Sequence, residues 1–343
     1  MDNPQNPRVV LAARPKGRPK TSDFRLEYAP IPEPNDGQVL LENLYLSLDP
    51  YMRWRMSAAK SYAEPVGIGE VMVGGTVARI KHSRHVDWHA GDIVLAYAGW
   101  QRFALSDGQD LRRLDPSVAP LTTALGVLGM PGFTAYAGLL NIGKPKPGDT
   151  VVVAAASGAV GSVVGQIARL HGARAVGIAG GADKCAFVKD ELGFDAVIDH
   201  HAADFAEQLA MACPQGIDVY FENVAGPVWD AVRPLLNDFA RIPVCGLIAH
   251  YNDDALQEAT MDRLPATMHD ILAKSLTVRG FIQTEFVDQQ QDKFLHDAAQ
   301  WIAEGKLKWR EDIVDGLARA PEAFIGLLEG RNFGKLIVRL NPQ

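Results

Sequence analysis

The stretch Ala154–Gly165, AAASGAVGSVVG, follows the strand-like run Thr150-Val151-Val152-Val153 and opens a helical repeat. Within it, Ala156-Ser157-Gly158-Ala159-Val160-Gly161 fits a G-x-G-x-x-G loop whose first glycine is replaced by Ala156. Gly158 would let a pyrophosphate approach the backbone, and Gly161 would let the helix lie close to the strand. Alanine costs little at the first position if the turn needs no positive φ there. A loose glycine match also describes any tight strand-to-helix turn; its place after the first strand of a long βα series makes it a dinucleotide loop. The end of the second strand selects the dinucleotide. NAD enzymes place an acid there for the ribose 2′-hydroxyl, whereas residues 175–184 read AVGIAGGADK. A 2′-phosphate would meet the open Gly180 and the cation of Lys184, with no carboxylate at the strand end, so NADPH is favoured over NADH. Asp183 argues the other way, and a solvated helix-start lysine is the plain alternative for Lys184.

Elements that must position this loop alternate from Pro147-Gly148-Asp149 onward. Val151–Ala155 reads as a strand, and Val160, Val163, Val164, Ile167 and Leu170 recur at helical spacing until Gly172. Further strands are predicted at Ala175–Ile178, Ala196–Ile198, Val219–Phe221, Ile242–Leu247 and Thr277–Phe281, with helices near 183–192, 203–212, 227–237, 263–274 and 288–304. This α/β pattern is that of a doubly wound parallel sheet. Residues 8–110 are different: Pro- and Gly-rich, with short strands at Arg8–Ala12, Phe24–Tyr28, Gln38–Leu48, Gly74–Ile80 and Asp92–Tyr97, they predict an irregular antiparallel, barrel-like unit. The tail strand Leu336–Leu340 is expected to return to that first unit.

Composition excludes several classes. The chain has 343 residues and a formal net charge of −7, enough for two domains and without the basic footprint that attracts nucleic acid or anionic membranes. The start, MDNPQNPRVV, lacks a basic region followed by an apolar run, and Cys185, Cys213 and Cys245 show no C-x-x-C spacing. Both features fit a reduced cytoplasmic protein. Pro116–Gly143 carries no charge, yet Gly126, Gly129, Pro131, Gly132, Gly138 and three threonines interrupt any spanning helix; a buried helix-rich junction is the better reading.

Several stretches together carry a family resemblance: LDPYMRWRM (48–56), VGGTVARI (73–80), GVLGMPGFTAYAGLL (126–140), AAASGAVGSVVGQIA (154–168), GFDAVIDHHAADFAEQLA (193–210), FENVAG (221–226), ARIPVCGLIAHYN (240–252) and EGRNFGKLIV (329–338). The sequence resembles the zinc-independent medium-chain dehydrogenases/reductases, most closely the bacterial NADPH-dependent curcumin reductase group, with the leukotriene/prostaglandin and plant alkenal double-bond reductases. The resemblance implies a GroES-like catalytic domain from 1–130 and 306–343, a Rossmann domain over 131–305, and a homodimer. It implies NADPH contacts from Ser157, Gly158, Ala159, Val160 and Gly161, from Gly180 and Lys184, from Asn223, from Cys245, Gly246, Leu247, Ile248 and Tyr251, from Phe281 and Ile282, and from Asn332. Where many relatives hold a tyrosine beside the adenosine phosphate, this chain has His200, which donates more strongly when protonated, so cofactor preference is expected to vary with pH.

No zinc site is expected. The zinc-dependent branch needs cysteine and histidine ligands in its first domain, but no cysteine precedes Cys185, and Gly69 precedes Glu70 where that branch carries a histidine. His82, His85 and His89 lie among Lys81, Ser83, Arg84, Asp87 and Trp88 and read as a solvated turn. Without a metal, the resemblance implies hydride transfer to the β-carbon of an α,β-unsaturated ketone or aldehyde, charge moving to an enolate oxygen, and protonation at the α-carbon. Tyr251, on the loop after the fifth Rossmann strand, is the first choice of donor to that oxygen, and relatives retain it. Tyr51 and Tyr62 follow, with simple packing as their plain alternative. Trp54, Met56 and Met130 are pocket or core residues, and Asp253–Arg263 departs from the Pro-rich loop of relatives. Quinone reduction and a non-catalytic NADPH-binding role are the rival functions.

Overall fold

The computed structural model describes residues 5–59, 61–253 and 263–340. It divides into two compact units, one of residues up to Gly126 and from Glu311 onward, the other Val127–Arg310. In the first unit, β1 (Gln5–Leu11) and β2 (Phe24–Pro30) form an antiparallel ribbon. The strands β3 (Val39–Ser47), β4 (Thr76–Ser83), β5 (Ile93–Ala96), β6 (Phe103–Ser106) and β7 (Arg112–Arg113) build an antiparallel sheet in which β3 pairs with both β4 and β6. Val39 and Leu41, Ala78 and Ile80, and Val94 and Ala96 form one buried cluster. Each pair is two residues apart, so one face of the pleat supplies it. The single-turn helix α1 (Met52–Arg55) follows Asp49-Pro50, its start fixed by the Met52 N–H donating to the Asp49 carbonyl at 3.1 Å.

The second unit opens with the uncharged junction. It comprises α2 (Met130–Gly138) and a wider turn over Leu139–Gly143, most of it buried. No helix among the described residues is long and apolar enough to cross a membrane. Six parallel strands follow: β8 (Thr150–Val153), β9 (Arg174–Ala179), β10 (Ala196–Asp199), β11 (Ile217–Phe221), β12 (Leu236–Val244) and β13 (Thr277–Gly280). Between and after them run α3 (Gly161–Leu170), α4 (Ala182–Ala186), α5 (Phe205–Ala212), α6 (Gly226–Val232), α7 (Leu264–Ala273) and α8 (Val287–Ala303). The order β10-β9-β8-β11-β12-β13 is the doubly wound one, with its switch point between β8 and β11.

Two elements differ from the sequence reading. The helix expected over 227–237 ends by Leu235, and β12 begins at Leu236 rather than Ile242. Pro234 closes the helix, and Phe239, at φ 63°, kinks the long strand where its register against β11 shifts. The helix expected over 183–192 is α4 followed by a wider turn at Phe187–Glu191.

The chain then returns to the first unit through β14 (Glu311–Asp315), α9 (Ala320–Leu328) and β15 (Lys335–Arg339). β15 lies antiparallel to β3 and parallel to β14. Here Phe324 meets Trp100 edge-on at 5.7 Å, and Trp100 stacks on Phe24 at 5.6 Å, an aromatic centre joining distant parts of the unit's sequence.

Candidate active site

In the second unit, the residues expected to hold a dinucleotide stand in the loops after the carboxyl ends of consecutive parallel strands: 154–161 after β8, 180–184 after β9, His200 after β10, Asn223 after β11, 245–251 after β12, and 281–282 after β13. In an open parallel sheet this edge is where ligands bind.

The glycine loop departs from its simplest reading in one respect. Positive φ occurs at Ala155 (52°), one residue before Ala156. Ala156 is fully buried, and its methyl occupies space opened by Gly177 of β9, where a Cβ would stand 2.9 Å from it. At Gly161 a Cβ would stand 2.3 Å from the Ala155 carbonyl oxygen, so only glycine lets α3 start so near the loop. Gly158 donates to Ala155 at 2.9 Å and accepts from Ser162 at 3.0 Å. Among the described residues the Ala159, Val160 and Gly161 amides have no backbone acceptor, leaving donors at the start of a ten-residue helix that suit an anion.

After β9, Gly180 lies beneath two imidazoles: a Cβ there would be 2.8 Å from His200 Nε2 and 3.0 Å from His201 Cε1. The two rings cross at 4.1 Å. Asp199 Oδ1 accepts the Gly181 amide at 3.0 Å and the His201 amide at 2.9 Å, bonds that hold its carboxyl below the usual carboxylate range. Burial first, then the neighbouring His201, pushes His200 below its ordinary value; Lys184 adds to this and Asp199 opposes it. The balance of these influences favours the neutral imidazole of His200. Lys184 is half-buried on α4.

Glu222, immediately after β11, organises the next two loops. Its carbonyl accepts the Cys245 and Gly246 amides at 2.9 and 3.1 Å. Its buried Oε1 accepts the Val224 amide (2.7 Å), the Ala225 amide (2.8 Å) and the Tyr220 hydroxyl (2.9 Å). Asn223 Nδ2 donates to the Ala154 carbonyl at 2.8 Å, and its own carbonyl accepts the Ile248 amide at 3.2 Å. Tyr251 follows the short turn Ile248–His250 and folds back over Gly246, where a Cβ would be 3.0 Å from the phenol oxygen. Burial, then the Glu222 carboxylate, pushes the Cys245 thiol up to about 12, so it is un-ionised at neutral pH. Phe281 turns its ring inward against Phe221 and Gly138; its backbone and Ile282 are what remain for a ligand.

In the first unit, Tyr51 caps the start of α1, and Tyr62 is exposed. Burial, then Asp49, pushes the Tyr51 phenol pKa above the usual phenol range, with Tyr97 adding to the shift. Lys335, itself buried, donates to Asp49 Oδ1 at 3.0 Å, to the Leu48 carbonyl at 2.7 Å and to the Leu336 carbonyl at 3.0 Å. Ser47 donates to the other Asp49 oxygen. Asn332 donates to the Gly334 carbonyl at 2.8 Å and shapes its own loop. Residues 254–262 of the Asp253–Arg263 segment lie outside the described residues.

Comparison with known proteins bears on this arrangement. Residues 7–114 match the family described as the N-terminal domain of oxidoreductase, and residues 159–303 the one described as zinc-binding dehydrogenase. The NADPH-dependent curcumin reductase of Escherichia coli (strain K12) is 55% identical, over 98% of this chain and 97% of that protein. This chain belongs to the medium-chain dehydrogenase/reductase family. Prostaglandin reductase 1 of Bos taurus is 42% identical over 94% of this chain and 95% of its own length. The crystal structure of CurA in complex with NADPH from Vibrio vulnificus is 57% identical and superposes with a TM-score of 0.94, covering 98% of this chain and 100% of that one.

Zinc appears in the description of one matched family, yet among the described residues of this member no three His, Cys, Asp or Glu side chains are grouped to hold a metal ion. His85 instead accepts the Asp87 amide at 3.0 Å within its turn. Sequence reasoning missed Glu222, Asp199, Gly177 and the Lys335–Asp49 pair. Only the acids had a signal, each being the residue that ends or follows a predicted strand.

The Glu222 bonds generate a prediction. Burial, against the bonds it accepts, raises the Glu222 carboxyl above its ordinary value. The folded state thus holds that proton more tightly than the unfolded chain, and stability falls as pH rises from about 4.5 through the raised value. Glu222→Gln keeps an acceptor for both amides and the phenol while removing the ionisation. Urea midpoints measured from pH 4.5 to 8 are expected to shift in favour of the variant as pH rises and then level off. A difference that is flat across this range would contradict the account.

Proposed function

We propose that this family member reduces the C=C bond of α,β-unsaturated ketones and aldehydes with NADPH. The observation that carries the proposal is its 57% identity, along 98% of the chain, to a CurA crystallised with NADPH. The unpartnered amides of the glycine loop suit a pyrophosphate, and Lys184 and His200, in the segments after β9 and β10, are the donors proposed for a 2′-phosphate.

When bound, the reduced nicotinamide supplies a hydride to the substrate β-carbon. Negative charge then grows on the carbonyl oxygen, and a neutral phenol is a fitting donor to it. Tyr251, braced over Gly246 by the loop hung on Glu222, takes that role. Asn223 and the 245–248 backbone hold the cofactor end of the site. Tyr51, kept un-ionised by burial and Asp49, and Tyr62 serve the substrate, and Asn332 completes the cofactor contacts. The α-carbon takes its proton from a phenol or from water.

We further infer a cytoplasmic homodimer. Three free cysteines accord with a reducing compartment. The edge strand β13 is exposed along its length, and Leu264, Met268 and Leu272 of α7 form an apolar row at 64%, 54% and 82% exposure. A second copy related by a two-fold axis would cover both.

Three measurements follow. Lys184→Ala is expected to weaken NADPH binding roughly 10- to 100-fold and leave NADH binding nearly unchanged; equal losses refute the 2′-phosphate assignment. Tyr251→Phe is expected to lower enone turnover by about 10² to 10³ with cofactor affinity retained. In the same assay, a wild-type protein saturated with NADPH that reduces quinones but no enone would reject the leading function. By sedimentation equilibrium, the wild type is expected to be a dimer and Leu272→Glu to shift towards monomer; a monomeric wild type at micromolar concentration would dismiss the interface.

A further inference from the structure

We propose that Arg55 is a specificity-determining residue that receives a carboxylate carried by the enone substrate. The proposal rests on the enone reading above and narrows its substrate class. Arg55 ends α1, whose N-cap is Tyr51. Residues four apart on a helical turn share a face, so the guanidinium and the proposed substrate-facing phenol stand side by side. Their coupling is electrostatic as well, since Arg55 opposes the upward shift of the Tyr51 phenol.

Among the described residues Arg55 is a cation with no ion-pair partner. Its side chain is half-buried, and Nε is shielded from water with no hydrogen-bond partner. Among the described residues no carboxylate pairs with it. Two nearby arginines are occupied: Arg53 donates to the Gly17 carbonyl at 2.9 Å, and Arg14 donates to the carbonyls of Met56 (2.9 Å) and Val66 (3.0 Å). Two acids on the flanking segments are also engaged. Asp49 is held by Lys335 and Ser47, and the Glu70 carboxylate accepts the Gly67 amide at 2.8 Å.

Leaving the shielded Nε of a half-buried guanidinium unpaired costs free energy that a bound anion would partly recover. A carboxylate matches its planar fork with two parallel bonds. The protein's formal net charge of −7 repels an acidic substrate at long range, so a local cation is what would admit one.

The test uses full-length protein saturated with NADPH and two substrates, a straight-chain enone ending in a carboxylate and its methyl ester. The wild type is expected to favour the acid in kcat/KM. Arg55→Met is expected to reduce the acid-to-ester ratio about 10- to 100-fold, chiefly through KM, and Arg55→Lys to restore part of it. Raising the salt concentration should shrink the wild-type preference. A wild type without preference, or the same ratio in wild type and Arg55→Met, overturns the proposal. If neither substrate is reduced, the enone reading itself fails, and binding of the acid is then followed by tryptophan fluorescence. Binding lost in Arg55→Met supports the carboxylate site, and equal binding overturns it. Should Arg55→Met not fold, judged by its melting curve, Arg55→Gln takes its place.

Discussion

Two adjacent residues, Glu222 and Asn223, tie three strand ends together. The Glu222 carbonyl collects two amides from the start of the loop after β12, and its carboxylate collects two amides from its own loop. The adjacent Asn223 ties the end of β11 to the end of β8. Parallel strands end in unpaired amides and carbonyls, and a site built there must satisfy them by some means other than the sheet. Here the same bonds that satisfy them set the path of the chain to Tyr251. Ala225 and Gly226, both at positive φ (65° and 57°), make the tight turn around the carboxylate possible, and the strain at Ala225 is held by the Val224 and Ala225 amide bonds on either side of it.

The glycine loop shows how a pattern and its exception fit together. Replacing the first glycine by alanine brings a buried methyl to the loop, and the sheet gives way at Gly177. The left-handed residue falls at Ala155 instead, where a short side chain tolerates it at moderate cost. The helix then starts so close to this kink that Gly161 is required. Gly165, one turn further, faces Phe194, whose ring would overlap any Cβ at 1.9 Å. Loop, helix and neighbouring strand therefore form one packing problem, and none of these glycines is independent of the others.

This explains what the sequence made legible. Runs such as TVVV, RAVGIA and IDVYF are apolar, short and bounded by glycine or polar turns, so the parallel strands declare themselves locally. β12 does not, because its first half, Leu236–Ala240, contains Asn237 and Asp238 and gains its strand form from pairing with Ile217, a tertiary contact. The short β6, β7 and β14 are likewise invisible, since pairing with β3, β5 and β15 rather than composition defines them. Glycine spacing carries the expectation of a phosphate loop, and the missing acid after β9 carries that of a 2′-phosphate. The supporting bonds of Glu222 and Asp199 could not be read, because they link residues to backbone amides whose positions only the fold fixes.

Charge in the first unit follows the same logic of satisfied and unsatisfied partners. Lys335 is buried with an acid and two carbonyls around it, and burial still pushes its pKa below the usual lysine range. Its bonds to Leu48 and Asp49 pin the segment that leads through Pro50 into Tyr51. The anion so fixed raises the cost of ionising Tyr51, which therefore remains a hydrogen-bond donor throughout the working pH range. In the proposed reaction, a donor of that kind would stabilise growing negative charge without itself carrying any. Placing a buried ion pair behind a half-buried phenol thus adds to burial in favouring its neutral form.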